Sequence, residues 1–276
     1  MIYIRKVAEA ADAALTGRPD AERTLSRLIS ANSRFAYPEE RDLHFELRMR
    51  EATLEAARAL NGSGAAFATF EESRCNPDYW ERRPNGAFRL RPDRSPSAAI
   101  RDIFRHGPLY GFECATAIVI VFYKAALDTI GDEAYDRLFS STYLFHWNVD
   151  RDLGLTTTRG RWFVPGDCLY FDNPDVDPAT PQWQGENVID MGDGLYYGHG
   201  IGIRRAADIV AKLNAHRRPG ALRSAVLLEQ TTRPDYVLLS RSAAALPPGV
   251  RYAGAAGLPG SAPHRARIGS SVWLLP

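Results

Sequence analysis

Glu113 and Cys114 stand side by side at the start of the most apolar segment of the chain, "YGFECATAIVIVFYKAAL". A buried cysteine is common, but a buried neighbouring glutamate is costly unless solvent or another group compensates its charge. The length of the segment and its closure by Gly131 favour a helix, which we expect to begin between Tyr110 and Glu113. The free N–H groups and the dipole at a helix start favour a thiolate, so this position predicts a lowered pKa for Cys114 and suits a nucleophile.

A second set of candidate residues lies in "ENVIDMGDGLYYGHGIGI", which predicts a β-hairpin that turns at "MGDG". If the two loop residues are the first Gly-Asp pair or the following Asp-Gly pair, Glu186 and His199 fall on the same face of the hairpin. That face also carries the bulkier side chains, so we expect it to pack against the helix led by Cys114. A cysteine at a helix start with a histidine and a glutamate on an adjacent strand face suits covalent acyl transfer.

The composition of the chain limits the classes of function that the sequence allows. The chain has 276 residues, is 45% hydrophobic and 24% charged, and its formal net charge of +1 gives no general electrostatic argument for nucleic acid or membrane binding. Its longest apolar run, Ala115 to Tyr123, is too short to cross a bilayer, and the first residues lack the layout of a secretory signal, which predicts a cytoplasmic protein at synthesis. Three separated cysteines predict reduced thiols rather than disulfides or a metal site.

Other segments predict the elements that must position these residues. Leucines at helical spacing predict an amphipathic helix from Pro38 to Leu60. "GAFRLR" is a candidate hairpin segment, and "RWFVPGDCLYF" predicts two short strands on either side of "PGD". Together these patterns predict helices around a sheet, with the Cys114 helix buried in the middle.

Three stretches closely resemble the transglutaminases of spore-forming bacteria, the protein-glutamine gamma-glutamyltransferases associated with the spore coat. They are "YGFECATAIVIVFYKAALDTIG", "PGDCLYFDNPDVDPATPQWQGENVI" and "YYGHGIGI", and the likeness runs in the same order from about Asp42 to about Arg233. Residues 1–30 do not match the family obviously. We therefore expect a catalytic domain over residues 1–240, and a flexible extension rich in Ala, Gly and Pro over residues 241–276.

The resemblance implies the fold and the reaction. It implies a single compact α+β domain with an NlpC/P60 (papain-like) core, in which Cys114 attacks a protein glutamine, releases ammonia and passes the acyl group to a lysine. The residue matching Glu186 is the main partner of the cysteine, Glu113 a partly redundant one, and His199 lies nearby. No cofactor and no metal are implied.

The resemblance also suggests a lined passage and a setting. Four aromatic residues resemble positions that line a tunnel through the family's protein: Phe67, Trp147, Tyr170 and Trp183. Such walls would admit the aliphatic stem of lysine and limit water. The implied partners are proteins that present glutamine and lysine, in particular spore coat proteins, and the implied state is a monomer in the mother cell or spore coat.

Two other classes of function stay open at this point. An NlpC/P60-type cysteine amidase or peptidase would use the same residues but hydrolyse its thioester, and a non-enzymatic coat or scaffold protein would keep only the fold. Taken alone, His199 is more often a hydrogen-bonded core histidine, Glu186 a surface charge, and the four aromatics packing residues. Only their combination favours an enzyme.

Overall fold

The computed structural model describes residues 18–31, 35, 37–245, 265–268 and 271–274. The α-helices in these ranges are α1 (Pro19–Ser30), α2 (Glu40–Gly62), α3 (Pro96–Arg105), α4 (Cys114–Ile130), α5 (Asp132–Leu138), α6 (Ala206–Asn214) and α7 (Tyr236–Ala245). The strands are β1 (Ala66–Phe67), β2 (Trp80–Arg82), β3 (Phe88–Leu90), β4 (Gly111–Phe112), β5 (Tyr143–Leu144), β6 (Thr156–Arg159), β7 (Cys168–Asp172), β8 (Gly185–Gly192), β9 (Leu195–Gly198), β10 (Gly202–Arg205), β11 (Val226–Leu227), β12 (Gln230–Arg233), β13 (Arg265–Ile268) and β14 (Ser271–Leu274).

Helix α4 lies at the centre of the protein, and the prediction of a buried helix in this segment is confirmed. It begins at Cys114 because the side chain of Glu113 caps it, and it ends at Gly131, whose φ of +80° suits glycine. Nearly all of its apolar side chains are buried, and it packs against α2 and β8. An apolar surface all round a helix is stable only in such a position.

Helix α2 confirms the predicted amphipathic helix, with its ends two residues further along the chain. It begins after Glu39, whose side chain accepts from the N–H of Asp42 while the Asp42 carboxylate accepts from the N–H of Glu39. This reciprocal capping satisfies N–H groups that have no partner within the helix. The predicted hairpin at "GAFRLR" is also present, as β2 paired with β3.

The main sheet has the strand order β10-β9-β8-β7-β12-β6, with β11 also paired to β7, and all of its pairs are antiparallel. One face contributes Cys168 and Ile189 to the core around α4. The opposite face contributes Leu169 and Val188 to a second core that includes Ile209 of α6. A strand alternates its side chains between faces, so neighbouring residues on β8 belong to different sides of the sheet. This buried helix on an antiparallel sheet is the predicted α+β architecture.

One of the two strands predicted in "RWFVPGDCLYF" is wrong. Residues 168–172 form β7, but residues 161–164 form no strand, and the preceding strand β6 already ends at Arg159. The reason is a tight turn in which the N–H of Asp167 donates to the carbonyl of Val164 and the N–H of Val164 donates to Asp167 Oδ2, each at 2.9 Å. These bonds occupy the backbone groups that strand pairing would need.

The predicted register of the β8–β9 hairpin is also wrong. Gly192 pairs with Leu195 as one of the two turn positions predicts, but a β-bulge between Asp190 and Gly192 then shifts the ladder by one residue. Val188 consequently pairs with Gly198, whereas the two predicted registers would pair it with Tyr197 or with His199. A shift of one residue reverses the faces, so Glu186 shares its face with Gly198 and not with His199.

The sequence predicts that the catalytic domain ends at residue 240 and that an extension follows. Helix α7 crosses that position, and β13 and β14 within the predicted extension pair as an antiparallel hairpin. Residues 246–264, 269–270 and 275–276 lie outside the described residues, so the division and the flexible extension stay predictions. In the described ranges, no helix is long and apolar enough to span a membrane. Those ranges also contain no group of three or more His, Cys, Asp or Glu side chains that could hold a metal ion.

Candidate active site

Glu113 is the N-cap of α4. Its Oε2 accepts from the N–H of Ala115 at 2.6 Å, and its Oε1 accepts from the N–H of Thr116 at 2.7 Å and from the Thr116 hydroxyl at 2.6 Å. A carboxylate at this position satisfies unpaired N–H groups and interacts favourably with the helix dipole. The half-buried carboxylate next to Cys114 is therefore compensated by the start of the helix.

Cys114 is half-buried, and its sulfur lies beside strand β8. The side chain of Asn187 donates from Nδ2 to Cys114 Sγ at 3.4 Å. Burial raises the pKa of the Cys114 thiol well above its ordinary value, and the negative charges of Glu186 and Glu113 raise it further, while hydrogen bonds from Asn187 lower it. The expected lowering of the pKa by the helix end is thus outweighed, and the resting form is the thiol.

Glu186 lies on the face of the sheet that points away from Asn187. Its side chain passes over Gly198, where an added Cβ would lie 2.7 Å from Glu186 Oε1, so a larger residue at position 198 would displace the carboxylate. Burial and the charge of Glu113 raise the pKa of Glu186 well above its ordinary value, although Lys212 and the backbone N–H of His199 act in the opposite direction. In the described structure Glu186 acts on Cys114 through its charge, and no hydrogen bond joins them.

His199 follows β9 and lies on the side of α4. Its ring stacks on Phe112 with a centroid distance of 4.7 Å, and its Nδ1 is 3.3 Å from the Tyr197 hydroxyl. Burial lowers the pKa of His199 to about 4, so the imidazole is neutral near neutral pH. The structure therefore brings His199 and Glu186 close through the histidine backbone rather than on one shared face.

A cavity of about 570 Å³ opens over Cys114. Three of the four predicted aromatic residues line it, namely Phe67, Trp147 and Tyr170. Trp183 does not line this cavity: its ring stacks on His216 with a centroid distance of 4.1 Å, and its chain neighbours Gln182 and Gln184 line the wall instead. The predicted aromatic wall is thus present in three positions.

Sequence reasoning missed most of the polar residues that line the cavity, among them Asn187 and His146. His146 has a φ of +51°, and its backbone N–H donates to the Thr116 hydroxyl at 2.9 Å, which links it to the cap formed by Glu113. Burial lowers the pKa of His146, while the charge of Glu113 raises it. The alternation of β8 could have pointed to Asn187, but nothing in the letters around His146 signals its position.

Comparison with known proteins places this site in a family. The family model described as "protein-glutamine gamma-glutamyltransferase" matches residues 1–243, including the first 30 residues that showed no obvious likeness. The chain is 50% identical over 215 residues to the protein-glutamine gamma-glutamyltransferase of Bacillus pumilus, covering 78% of this chain and 87% of that protein. It is 42% identical over 229 residues to that of Bacillus cereus, covering 83% of each. The chain belongs to this transglutaminase family.

A solved structure agrees with the sequence comparisons. The transglutaminase from Geobacillus stearothermophilus, without its C-terminal extension, is 54% identical and superposes with a TM-score of 0.72, covering 74% of this chain and 98% of that one. The enzyme is thus an acyltransferase that acts on protein glutamine and lysine side chains. A half-buried thiol under an aromatic cavity, with a raised-pKa carboxylate nearby, is an arrangement that can form and protect a thioester.

Proposed function

We propose that this enzyme forms isopeptide cross-links between proteins with Cys114 as its nucleophile. The observation that carries the proposal is the position of the Cys114 thiol at the start of α4 and in the wall of the 570 Å³ cavity. Cys75 is the other half-buried thiol, but it does not line the cavity, and Cys168 is buried in the core around α4. Of the three cysteines, Cys114 alone meets a substrate that enters this cavity.

The proposed reaction has two half-reactions. In the first, the Cys114 thiolate attacks the carbonyl carbon of a glutamine carboxamide, the carbon–nitrogen bond breaks, and the nitrogen leaves as ammonia after it gains a proton. In the second, the lysine amine attacks the thioester carbon and loses a proton, and the carbon–sulfur bond breaks to return the thiolate. The product is an isopeptide bond, and water is the competing acceptor.

We assign the proton acceptor of the thiol to Glu186. A carboxylate of ordinary pKa is a poor base for a thiol, and burial and the charge of Glu113 raise the pKa of Glu186, which makes its carboxylate a stronger base. The negative charge of Glu113 raises the pKa of both groups, so we propose that the proton of the Cys114 thiol is exchanged with the Glu186 carboxylate beside the charge of Glu113. His199 and the protonated carboxyl group are the two candidates for the donor to departing ammonia.

The aromatic wall is assigned to the lysine donor. Phe67, Trp147 and Tyr170 provide apolar surface for the methylene stem of a lysine, and their bulk limits the water that would hydrolyse the thioester. We further propose that the enzyme acts as a monomer on spore coat proteins. The resemblance to the transglutaminases of spore-forming bacteria implies this setting, and relatives with 42–50% identity come from Bacillus species.

The test measures two products in parallel. Wild type and Cys114→Ala are incubated with casein and a fluorescent primary amine, and both amine incorporation and ammonia release are followed. We expect wild type to give both products and the variant to give neither. Cys75→Ala is the control, because it removes a half-buried thiol outside the cavity, and it should keep both activities.

Each other outcome has a definite meaning. Ammonia release without amine incorporation would mean that water resolves the thioester, as in an NlpC/P60-type amidase. Incorporation that survives in Cys114→Ala would overturn the proposed nucleophile. For the spore coat, loss of high-mass cross-linked coat protein in a host strain that carries Cys114→Ala would support the setting, and an unchanged coat would contradict it.

A further inference from the structure

Asn187 is the residue whose hydrogen bonds reach the reacting sulfur. Its side-chain Nδ2 donates to Cys114 Sγ at 3.4 Å. Neither Glu186 nor His199 makes a hydrogen bond to this atom in the described part of the chain. Hydrogen-bond donors to a thiolate stabilise it, because they supply positive partial charge where the negative charge forms.

The fold fixes Asn187 in this place. It lies on β8 directly opposite Tyr170 of β7, and both residues line the cavity. Because β8 alternates its side chains, Asn187 points towards α4 whereas Glu186 points to the other face. Asn187 is only 6% exposed, so the donor lies where water competes little for the sulfur.

The buried amide of Asn187 is only partly satisfied. Its Oδ1 has no hydrogen-bond partner in the described structure, and a buried carbonyl oxygen of this kind costs free energy. A side chain kept only for packing would carry no such penalty. The amide is oriented with its N–H groups towards the sulfur, and we attribute this orientation to stabilisation of negative charge on the sulfur.

We propose that Asn187 is a catalytic residue that stabilises first the Cys114 thiolate and then the oxyanion of the tetrahedral intermediate. When the sulfur bonds to the glutamine carbonyl carbon, the negative charge develops on the oxygen attached to that carbon. This oxygen is two covalent bonds away from the sulfur, within reach of the same Nδ2–H group. The backbone N–H of Cys114 is a second candidate donor to the oxyanion. The Glu113 cap accepts from the N–H groups of Ala115 and Thr116 and not from that of Cys114. The inference rests on the proposed role of Cys114.

Two substitutions, one that keeps the size of the side chain and one that removes it, separate this role from packing. Asn187→Asp keeps the shape of the side chain but replaces the donor with a carboxylate oxygen, whereas Asn187→Ala removes the side chain. A packing role predicts that Asp is the milder change. The proposed role predicts the reverse, because Asp adds a third negative charge beside the sulfur.

The experiment measures kcat for a glutamine peptide and the pH dependence of Cys114 alkylation by iodoacetamide. We expect Asn187→Ala to lower kcat about 100-fold, Asn187→Asp to lower it more, and both to move the alkylation midpoint to higher pH. Asn76→Ala is the control: this asparagine is also buried and donates to Asp102 at 2.8 Å, so its loss should lower Tm and leave the alkylation profile unchanged.

The outcomes separate this inference from the proposed function. If Cys114 is required and Asn187→Asp keeps the wild-type alkylation profile and kcat, the role of Asn187 is refuted. If Cys114→Ala is active, the proposed nucleophile fails first. Should Asn187→Asp not fold, Asn187→Gln gives the same test, since it keeps an amide donor and must retain more activity than Asn187→Ala at comparable Tm.

Discussion

Two clusters of buried polar groups in this protein follow opposite rules. The Arg50 cluster consists of Arg50, Glu46, Asp167, Arg233 and Tyr37. Arg50 donates to Glu46 at 2.7 Å and to Asp167 at 2.9 Å, Arg233 donates to Asp167 at 2.7 Å, and Tyr37 donates to Glu46 at 2.8 Å. Opposite charges are joined directly, so this cluster ties α2 to the turn before β7.

The Cys114 cluster, which consists of Cys114, Glu113, Glu186, Asn187 and His199, lacks such pairing. Its two carboxylates raise the pKa of the thiol, and no lysine or arginine lines the cavity above it in the described part of the chain. Buried charges left without an opposite charge weaken a fold and are typical of sites with chemistry. Direct pairing of opposite charges, and not burial alone, therefore separates the structural cluster from the reactive one.

We expect the largest effect from a substitution in the Arg50 cluster. Arg50→Ala leaves Glu46 and Asp167 buried without their shared cation, which should lower the free energy of unfolding by about 3–5 kcal/mol. Arg58→Ala is the control on the same helix, because Arg58 pairs with Asp20 at the surface and should contribute less than about 1 kcal/mol. Urea unfolding measures both, and equal losses would contradict the contrast.

Glu186→Gln tests the reactive side. It removes a buried charge without changing size, so we expect kcat to fall about 100-fold while the free energy of unfolding stays equal or rises. Glu46→Gln is the control, because it removes a carboxylate from the Arg50 cluster and should lower stability but not kcat per folded molecule. A pH–rate profile of Glu186→Gln that matched wild type would refute the role of Glu186.

The contribution of His199 to stability can be measured from the pH dependence of the free energy of unfolding. Its folded-state pKa of about 4 lies below the unfolded value of 6.5, so the unfolded state binds more protons between these values. The contribution is fully present above pH 6.5 and is lost as pH falls towards 4. His199→Phe should remove about 2 kcal/mol of the loss between pH 7 and pH 5. Parallel stability curves for the two proteins would contradict the burial of a neutral imidazole.

The smallest expected effect concerns the rim of the cavity. Glu71 is exposed and lines the cavity, so its charge should attract a cationic amine. Glu71→Gln should raise KM for cadaverine about two- to fivefold and leave KM for a glutamine peptide unchanged. Glu72→Gln is the control, since Glu72 carries the same charge next along the chain but lies outside the cavity. Equal effects of the two changes would mean that no local recognition exists.

The sequence predicts the Cys114 helix well because its evidence is local. A carboxylate before an apolar run, followed by a glycine, defines a cap, a buried helix and its end within one continuous stretch. The choice between Glu186 and Asn187 as the residue that faces the sulfur is not local. It depends on a bulge between Asp190 and Gly192, and one inserted residue reverses every face of the strand.

The aromatic residues show the same limit. Phe67, Trp147 and Tyr170 come from separate elements that meet only in the folded protein, and their place in the cavity was expected from resemblance alone. Trp183 belongs to a short turn of 3₁₀ helix, and its ring stacks on His216, a partner 33 positions away along the chain. Long-range contacts of this kind leave no periodic signal in the sequence.

The most direct test of the central claim is to map the acyl-enzyme. The enzyme is mixed with a glutamine-containing peptide in the absence of an amine, quenched in acid and digested, and the adduct is located by tandem mass spectrometry. We expect an adduct on Cys114 that adds the mass of the peptide less one ammonia and that hydroxylamine removes. An adduct on Cys75 or Cys168, or ammonia release with no adduct on any cysteine, would contradict acyl transfer through Cys114.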